Sequence, residues 1–455
     1  MSTYLDAFAH DIFPDERSLQ AFCFVDYPVL AKLEQRTHTV SGATWEYPCL
    51  IQGSISLSTD RAKVQEMHAQ ANDVANFFGE AFKLGYFPPG YKGGFQISDF
   101  DMALTESQGG VPDGAYMEKF AIQLKTITKE FGARQERYFI GKSGKSLALT
   151  TANGGTTDFS TGTVTLADPL QVGAFRAGMI VNASTSSAAT PSTSALLGTG
   201  TDQKIYIRFV DDDNGVLYVS ATSGGSLGHS AMNTAASTNA VYLFNYGDFQ
   251  GTSGYSRNEM PPGVQDWIPS SWSTSIGTFA TVDRGVSSKL AGWRMPTSGN
   301  NSSAGKQIDG VIELGLERAY QIAGASGTYT VLMSPRRWTQ LTQIAKSRGY
   351  RMLDGESATI GYKYIEIVHG NMKAECLSCP SMSSDDLFFL KMEDDGWCVR
   401  SLGGAWPRVM NGDGLKMLRA TADDTYEYRL VSYFHYGCRG INLNGRADIS
   451  ALSTL

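Results

Sequence analysis

Between Pro112 and Ile140 the apolar residues recur at alternating steps of three and four: Met117, Phe120, Leu124, Ile127 and Phe131. That spacing places them on one stripe of an α-helix. Glu118, Lys119, Lys125, Lys129 and Glu130 fill the positions between. Asp113, just ahead of the stripe, is a suitable N-cap, because its carboxylate can accept the free amide hydrogens of the first turn. A helix of about 20 residues spans roughly 30 Å, enough to cross a domain, so the stripe is read as a spine.

The pattern changes along the rest of the chain. Residues 1–36 carry Phe8, Ile12, Phe13, Leu19, Phe22 and Phe24 with no sustained period, and Pro14 and Pro28 interrupt them. A segment that is apolar yet makes no core of its own is expected to dock elsewhere, as an arm on a neighbouring subunit. Residues 37–57 and 90–104 alternate as strands do, and 63–84 has a helical face of Val64, Met67, Ala71, Val74, Ala75 and Phe78. Two strands pairing across such an intervening segment would make a long projecting loop. From about 146 to 255 the chain is rich in Ser, Thr, Gly and Ala, with short alternating runs at 162–166, 204–210, 216–220 and 241–246. This suggests an inserted all-β module, a small sandwich or barrel, with exposed low-complexity loops at 183–202 and 221–239. After 256 the character is mixed. Ile308, Val311, Ile312, Gly315, Ala319 and Ile322 mark a helix, and Ser334 and Pro335 form a cap and first turn for another that Gly349 stops. Alternating runs continue to a long patterned segment at 424–443, expected to be a docked C-terminal strand.

At 455 residues the chain can hold two or three domains, and 42% hydrophobic with 11% aromatic content excludes wholesale disorder. No apolar run approaches the roughly 18 residues of a membrane span, so no membrane partner is expected. The N-terminus carries acids where a signal peptide would carry bases, so synthesis in a cytoplasm is expected. A formal net charge of −7 argues against gripping nucleic acid by counterion release. Cys23, Cys49, Cys376, Cys379, Cys398 and Cys438 are too scattered for a disulfide scaffold and are read as reduced, buried thiols.

Candidate chemistry is sparse. "YFIGKSGKSL" ends like a phosphate-binding loop, but Phe139 stands where the first glycine is needed, so no nucleotide site is assigned. His369, Cys376, Cys379 and Cys398 have a spacing that could offer four ligands to zinc, but with only one C-x-x-C the structural reading is preferred and no metal is assigned. The acidic pairs Asp385–Asp386, Asp394–Asp395 and Asp423–Asp424 are read as solvated turns. No G-x-S-x-G elbow appears and the six histidines stand apart, so neither catalytic residues nor a cofactor is assigned. The basic cluster Arg336, Arg337, Lys346, Arg348 and Arg351 is the one charge group worth marking, with two readings of at least equal standing: a solvated helix face, or a surface that meets carboxylates of a neighbouring subunit or packaged DNA.

Three segments carry a family resemblance. "DYPVLAKLEQRTHTVSGATWEYPCL" is similar to an arm-to-loop entry, "GVQDWIPSSWSTSIGTFATVDRGVSSKLAGWRM" to the stretch between an inserted module and the axial domain, and "MSPRRWTQLTQIAKSRGYR" to a strand-to-helix P-x-x-W-x-x-L segment. Together, and in this order, they resemble the major capsid protein of tailed double-stranded DNA bacteriophages. The resemblance implies an α+β, Hong Kong 97-like capsid fold. Its parts would be an N-terminal arm (1–36), an extended loop (37–107), a peripheral domain with the spine helix (108–145), the inserted module (146–255), a connection (256–309), an axial domain (310–400) and return strands (401–455). It implies hexamers and pentamers of identical subunits closing an icosahedral head in the virion, with a separate scaffolding protein, a portal, a decoration protein, and packaged DNA held non-specifically. On it, Trp45, Tyr47, Tyr86, Phe87, Tyr91, Arg336 and Arg337 are the candidates for contacts between subunits. An encapsulin-like nanocompartment shell is the nearest alternative. A carbohydrate-binding protein or hydrolase with a β-sandwich module is the alternative from another class.

Overall fold

The computed structural model describes residues 27–37, 44–48, 81–85, 91–98, 114–141, 146–152, 157–185, 197–198, 203–232, 239–246, 261–285, 287–299, 302–323, 327–347, 365–392, 396–401, 408–409, 417–419 and 425–452. In chain order the elements begin with α1 (Pro28–Ala31), β1 (Glu34–Thr37), β2 (Thr44–Pro48), β3 (Ala81–Gly85), β4 (Tyr91–Ser98) and α2 (Gly114–Ile140). There follow β5 (Ala148–Leu149), β6 (Thr163–Thr165), β7 (Ile180–Ser184), β8 (Ile205–Asp211), β9 (Val216–Ser220), β10 (Tyr242–Asn245), α3 (Val264–Trp267), β11 (Thr278–Phe279), β12 (Val282–Asp283) and β13 (Trp293–Met295). The last part holds α4 (Ile308–Ala323), β14 (Gly327–Met333), α5 (Pro335–Ser347), β15 (Ile365–His369), β16 (Met372–Ser378), β17 (Asp386–Leu390) and β18 (Trp397–Ser401). It closes with β19 (Arg408–Val409), β20 (Met417–Arg419), β21 (Thr425–Ser432), β22 (Phe434–Cys438) and β23 (Gly445–Asp448). Two compact units result, one of residues 1–136 with 267–455, the other Arg137–Asp266.

The first unit is built on a mixed sheet in the order β13-β23-β17-β14-β16-β15. Alternation puts Trp293, Met295, Val331, Met333, Met372, Ala374, Cys376, Leu387, Phe389 and Ala447 into one core with the buried stripe Ile308, Val311, Ile312, Leu316 and Ala319 of α4. Gly315 faces the Phe389 ring so closely that an added Cβ would overlap it, which is why α4 tolerates a helix-weakening glycine there. α5 starts as its residues suggest: the Ser334 side chain accepts from the Arg337 amide at 3.4 Å and Pro335 opens the first turn.

A smaller sheet, β1-β18-β22, receives the N-terminal segment. β1 lies parallel to β18, and Val29, Leu30 and Leu33 just before it are buried. Lys32 adds an ion pair to Glu375 at 2.5 Å, half-exposed and so worth little. The part of the expected arm at 27–37 therefore docks on its own chain: Val29, Leu30 and Leu33 are buried in it and the polar strand behind them pairs with β18, a long-range partner that single-sequence periodicity does not reveal; residues 1–26 lie outside the described residues. β4 pairs antiparallel with β21 along all eight residues of each strand.

The 27-residue helix α2 covers about 40 Å. Along its described side chains, burial follows Thr128, Phe131, Gln135 and Glu136, while Lys125 and Lys129 are exposed. Ile127, expected in the core stripe, is only half-buried. The buried side turns polar because it is hydrogen-bonded: the Tyr436 hydroxyl donates to Gln135 O (2.9 Å) and Oε1 (3.0 Å), and Ser381 Oγ donates to Glu136 Oε2 (3.1 Å). The side chains of Met117, Phe120 and Leu124 lie outside the described residues.

In the second unit six strands run in the order β5-β10-β7-β8-β9-β6, each pair antiparallel. The edges close on each other: Thr150 bridges Leu166, Thr151 N donates to Thr165 O (2.8 Å) and Ala167 N to Leu149 O (2.9 Å). The module is thus a small closed barrel, which removes both sheet edges. Phe159, Val164, Val181, Ile205, Ile207, Leu217, Val219 and Leu243 fill it.

Candidate functional site

The feature with most bearing on function is the root of the β2–β3 hairpin. Residues 49–80 separate its strands in sequence, and Tyr47 and Phe82 are cross-strand partners on one face. Both are completely buried, while Glu46, next to Tyr47 along β2, is exposed, as strand alternation requires. Phe82 meets Trp267 edge-on at 4.9 Å between centroids, and Trp267 in turn meets Phe279 (5.2 Å) and Trp397 (6.0 Å). Tyr47 lies edge-on to Trp267 (6.1 Å) and His435 (5.5 Å), its hydroxyl shares a hydrogen bond with His435 Nδ1 at 3.0 Å, and the Arg400 guanidinium sits 5.0 Å from its ring centre. Burial and the adjacent Cys398 push the Tyr47 hydroxyl well above the ordinary tyrosine range, with Arg400 pulling the other way, so it stays protonated. Gly437 on β22 leaves the space that the Tyr47 ring occupies; a Cβ there would overlap three ring carbons.

Behind this root, Asn444 joins the two sheets. Its Oδ1 accepts from Lys391 N (2.7 Å) and Trp397 Nε1 (3.1 Å), and its Nδ2 donates to Gly440 O (2.8 Å) and Cys438 Sγ (3.3 Å). Every polar atom of a fully buried amide is thereby used, and no sequence pattern marked it.

The expected contact residues divide. Tyr47 is spent inside its own chain, since a ring enclosed on every side leaves nothing for a neighbour. Arg337 is likewise internal: 2% exposed, it donates from Nε to Ser384 O (2.8 Å), from Nη1 to Gln340 Oε1 (2.8 Å) and from Nη2 to Ile449 O (3.0 Å). Arg336 and Lys346 are exposed on α5, and Arg348 and Arg351 lie outside the described residues. So do Tyr86 and Phe87 and the side chain of Trp45, while Tyr91 is placed by its backbone as the first residue of β4. His369 is exposed at the end of β15, Cys376 is buried in the α/β core, and Cys398 sits in the three-stranded sheet, so the four-residue spacing is not gathered. Among the described residues no three His, Cys, Asp or Glu side chains form a metal-holding group. Of the acidic pairs, Asp386 is no solvated turn: it is buried and takes a two-pronged contact from Arg446 (2.7 and 2.9 Å). Residues 142–145 of the loop-like "GKSGKS" lie outside the described residues, and no described helix is long and apolar enough to cross a membrane.

No family model and no curated protein matches the sequence. Among solved structures, the chain is similar to one in the cyanophage A-1(L) capsid asymmetric unit, with 10% identity over 93% of this chain and 92% of that one and a TM-score of 0.45. A chain in the satellite phage P4 procapsid with its size determination protein has 11% identity over 96% and 90%, with a TM-score of 0.35. One in the holo-SrpI encapsulin complex from Synechococcus elongatus has 6% identity over 94% and 89%, with a TM-score of 0.36.

Proposed function

We propose that this chain is the shell-forming subunit of a tailed-phage head, assembling through hexamers and pentamers into an icosahedral container for double-stranded DNA. One observation carries the reading. Residues 34–98 supply strands to three separate sheets, β1 to one, β2 with β3 to another and β4 to a third, and among the described residues they make no core of their own. A segment used in this way is rooted in the body of the chain by Tyr47 and Phe82. That is the use an extended loop has in a container made of copies of one chain, and the three resembling segments of the sequence agree with it. In such a container each contact need be only of standard size, about 1,600 Å², because every subunit is held by several neighbours at once. The net charge of −7 suits a wall along which DNA must slide. A scaffolding protein, a portal and a decoration protein are the further partners this reading expects.

The test is the size of the purified product. Negative-stain microscopy with analytical sedimentation should find capsomers or closed shells on the order of tens of nanometres. A population of small oligomers under all assembly conditions, including added scaffold, would overturn the reading.

A further inference from the structure

The outer face of the barrel carries aromatic rings that the chain itself does not enclose. On β8 and β9, Ile205, Ile207, Leu217 and Val219 point into the barrel core, so alternation turns Tyr206 and Tyr218 outward. The β8–β9 register then slips between Ile207 and Phe209. This bulge brings Phe209 opposite Tyr218 on the outer face, 59% exposed, while Val210 resumes packing on the core. Tyr206 is level with Ile180 on β7, and the Tyr246 amide donates to the Ile180 carbonyl at 3.1 Å, so Tyr246, 49% exposed, extends the same row. Tyr246 and Tyr206 are two strand spacings apart, about 10 Å. Among the described residues the hydroxyls of Tyr206, Tyr218 and Tyr246 have no hydrogen-bond partner, and neither has the Arg208 guanidinium, which lies beside Gly224. The charges at the two ends of β8 are opposite. Lys204, just before it, lies over the Tyr246 ring at 5.0 Å, and the turn after it carries Asp211, Asp212 and Asp213.

We propose that this face binds a flat, uncharged glycan of β-linked glucopyranose units, glucose or N-acetylglucosamine, with Tyr206, Phe209, Tyr218 and Tyr246 as stacking rings and Arg208 as a donor. The faces of aromatic rings are electron-rich and attract the C–H faces of a pyranose. The step of about 10 Å from Tyr246 to Tyr206 is close to the length of one disaccharide unit of such a chain. Its hydroxyls supply acceptors to Arg208 and both donors and acceptors to the tyrosine hydroxyls. Other occupants fit the face less well. A closed barrel presents a sheet face and no edge, so a peptide cannot add to it as a strand. A stably held protein, a second copy included, needs roughly 800 Å² on each side, and this patch is a handful of side chains. A nucleic-acid strand would meet the Asp211–Asp213 turn beside Phe209, where carboxylates repel phosphates. Opposite charges at the two ends leave a middle that favours a neutral ligand. The inference does not depend on the shell reading: it is tested by sugar binding to the full chain in any assembly state, and its failure would leave the assembly size unexplained by neither.

The experiment titrates the full chain with cellohexaose and with chitohexaose by calorimetry, for wild type, Phe209→Ala, Tyr218→Ala, Tyr218→Phe and Tyr320→Ala. At least one of the two sugars should bind the wild type. Phe209→Ala and Tyr218→Ala should each weaken that binding about fivefold to tenfold, because each removes one stacking ring. Tyr218→Phe keeps the ring and should retain most of the affinity. Tyr320→Ala removes an exposed aromatic of α4 in the first unit and should change nothing. Thermal midpoints within about 2 °C of wild type are expected for all four, since these side chains face outward, so a lost sugar response is not misfolding. Failure of both hexasaccharides to bind at millimolar concentration, or undiminished binding in both alanine variants, would overturn the proposal. So would binding of an oligothymidylate in place of the sugars, which would mark a nucleic-acid face. A smaller assembly for Phe209→Ala in sedimentation, without sugar binding by the wild type, would assign the face to a second copy instead.

Discussion

Gly437→Ala is the sharpest test of the hairpin root. The new Cβ would overlap Cζ, Cε1 and Cε2 of Tyr47. The ring has nowhere to go, being boxed by His435, Trp267 and Arg400. If the surroundings strain to keep it, the cost is that of overpacking, about 1–3 kcal/mol. If the ring leaves, the loss approaches that of emptying a buried aromatic site, about 3–5 kcal/mol. An overall destabilisation of about 3 kcal/mol is therefore expected, measured by denaturant unfolding followed through tryptophan fluorescence. A double-mutant cycle isolates the cause: in a Tyr47→Ala background the partner of the clash is gone, and Gly437→Ala should then cost less than about 1 kcal/mol. Additive single-mutant costs, or a Gly437→Ala variant as stable as wild type, would refute the packing argument. In the proposed shell the same variant should also loosen the hairpin and show early cleavage between residues 49 and 80 in limited proteolysis.

Asn444→Leu should destabilise the fold by about 3 kcal/mol or more, because it strands buried donors and acceptors from four groups, and chemical denaturation will read it. Arg337→Ala should cost about 2–4 kcal/mol through the orphaned carbonyls of Ser384 and Ile449, whereas Arg336→Ala should change unfolding by less than about 0.5 kcal/mol; equal effects would contradict the assignment of Arg337 to the interior. Burial pushes the Cys376 thiol from 9.0 up to about 12, with Cys438 and Tyr329 also raised. The folded thiol keeps a proton that the unfolded chain loses, so stability is full below pH about 9 and falls as pH rises toward about 12; a denaturation midpoint unchanged between pH about 8 and about 11 would contradict this. Removing residues 1–26 should leave a folded chain that assembles poorly, and unimpaired shell formation would sink the arm's role.

What the sequence determined by itself is local. The three-and-four stripe marks a helix that runs Gly114–Ile140, Ser334 and Pro335 start α5, and the short runs around 163, 205, 216 and 242 are strands of the second unit. Each of these depends on residues within a turn or two of one another, so periodicity and capping suffice to read it. Only the tertiary structure decided which aromatics are inside, that the module closes into a barrel, and which arginine of α5 is enclosed. Tyr47 and His435 meet across 388 positions of chain, and Arg337 reaches the Ile449 carbonyl only once the two segments pack. Residue type announces that a tyrosine or an arginine is costly to bury unpartnered, but the partner is supplied by the fold, and no local pattern carries that distance.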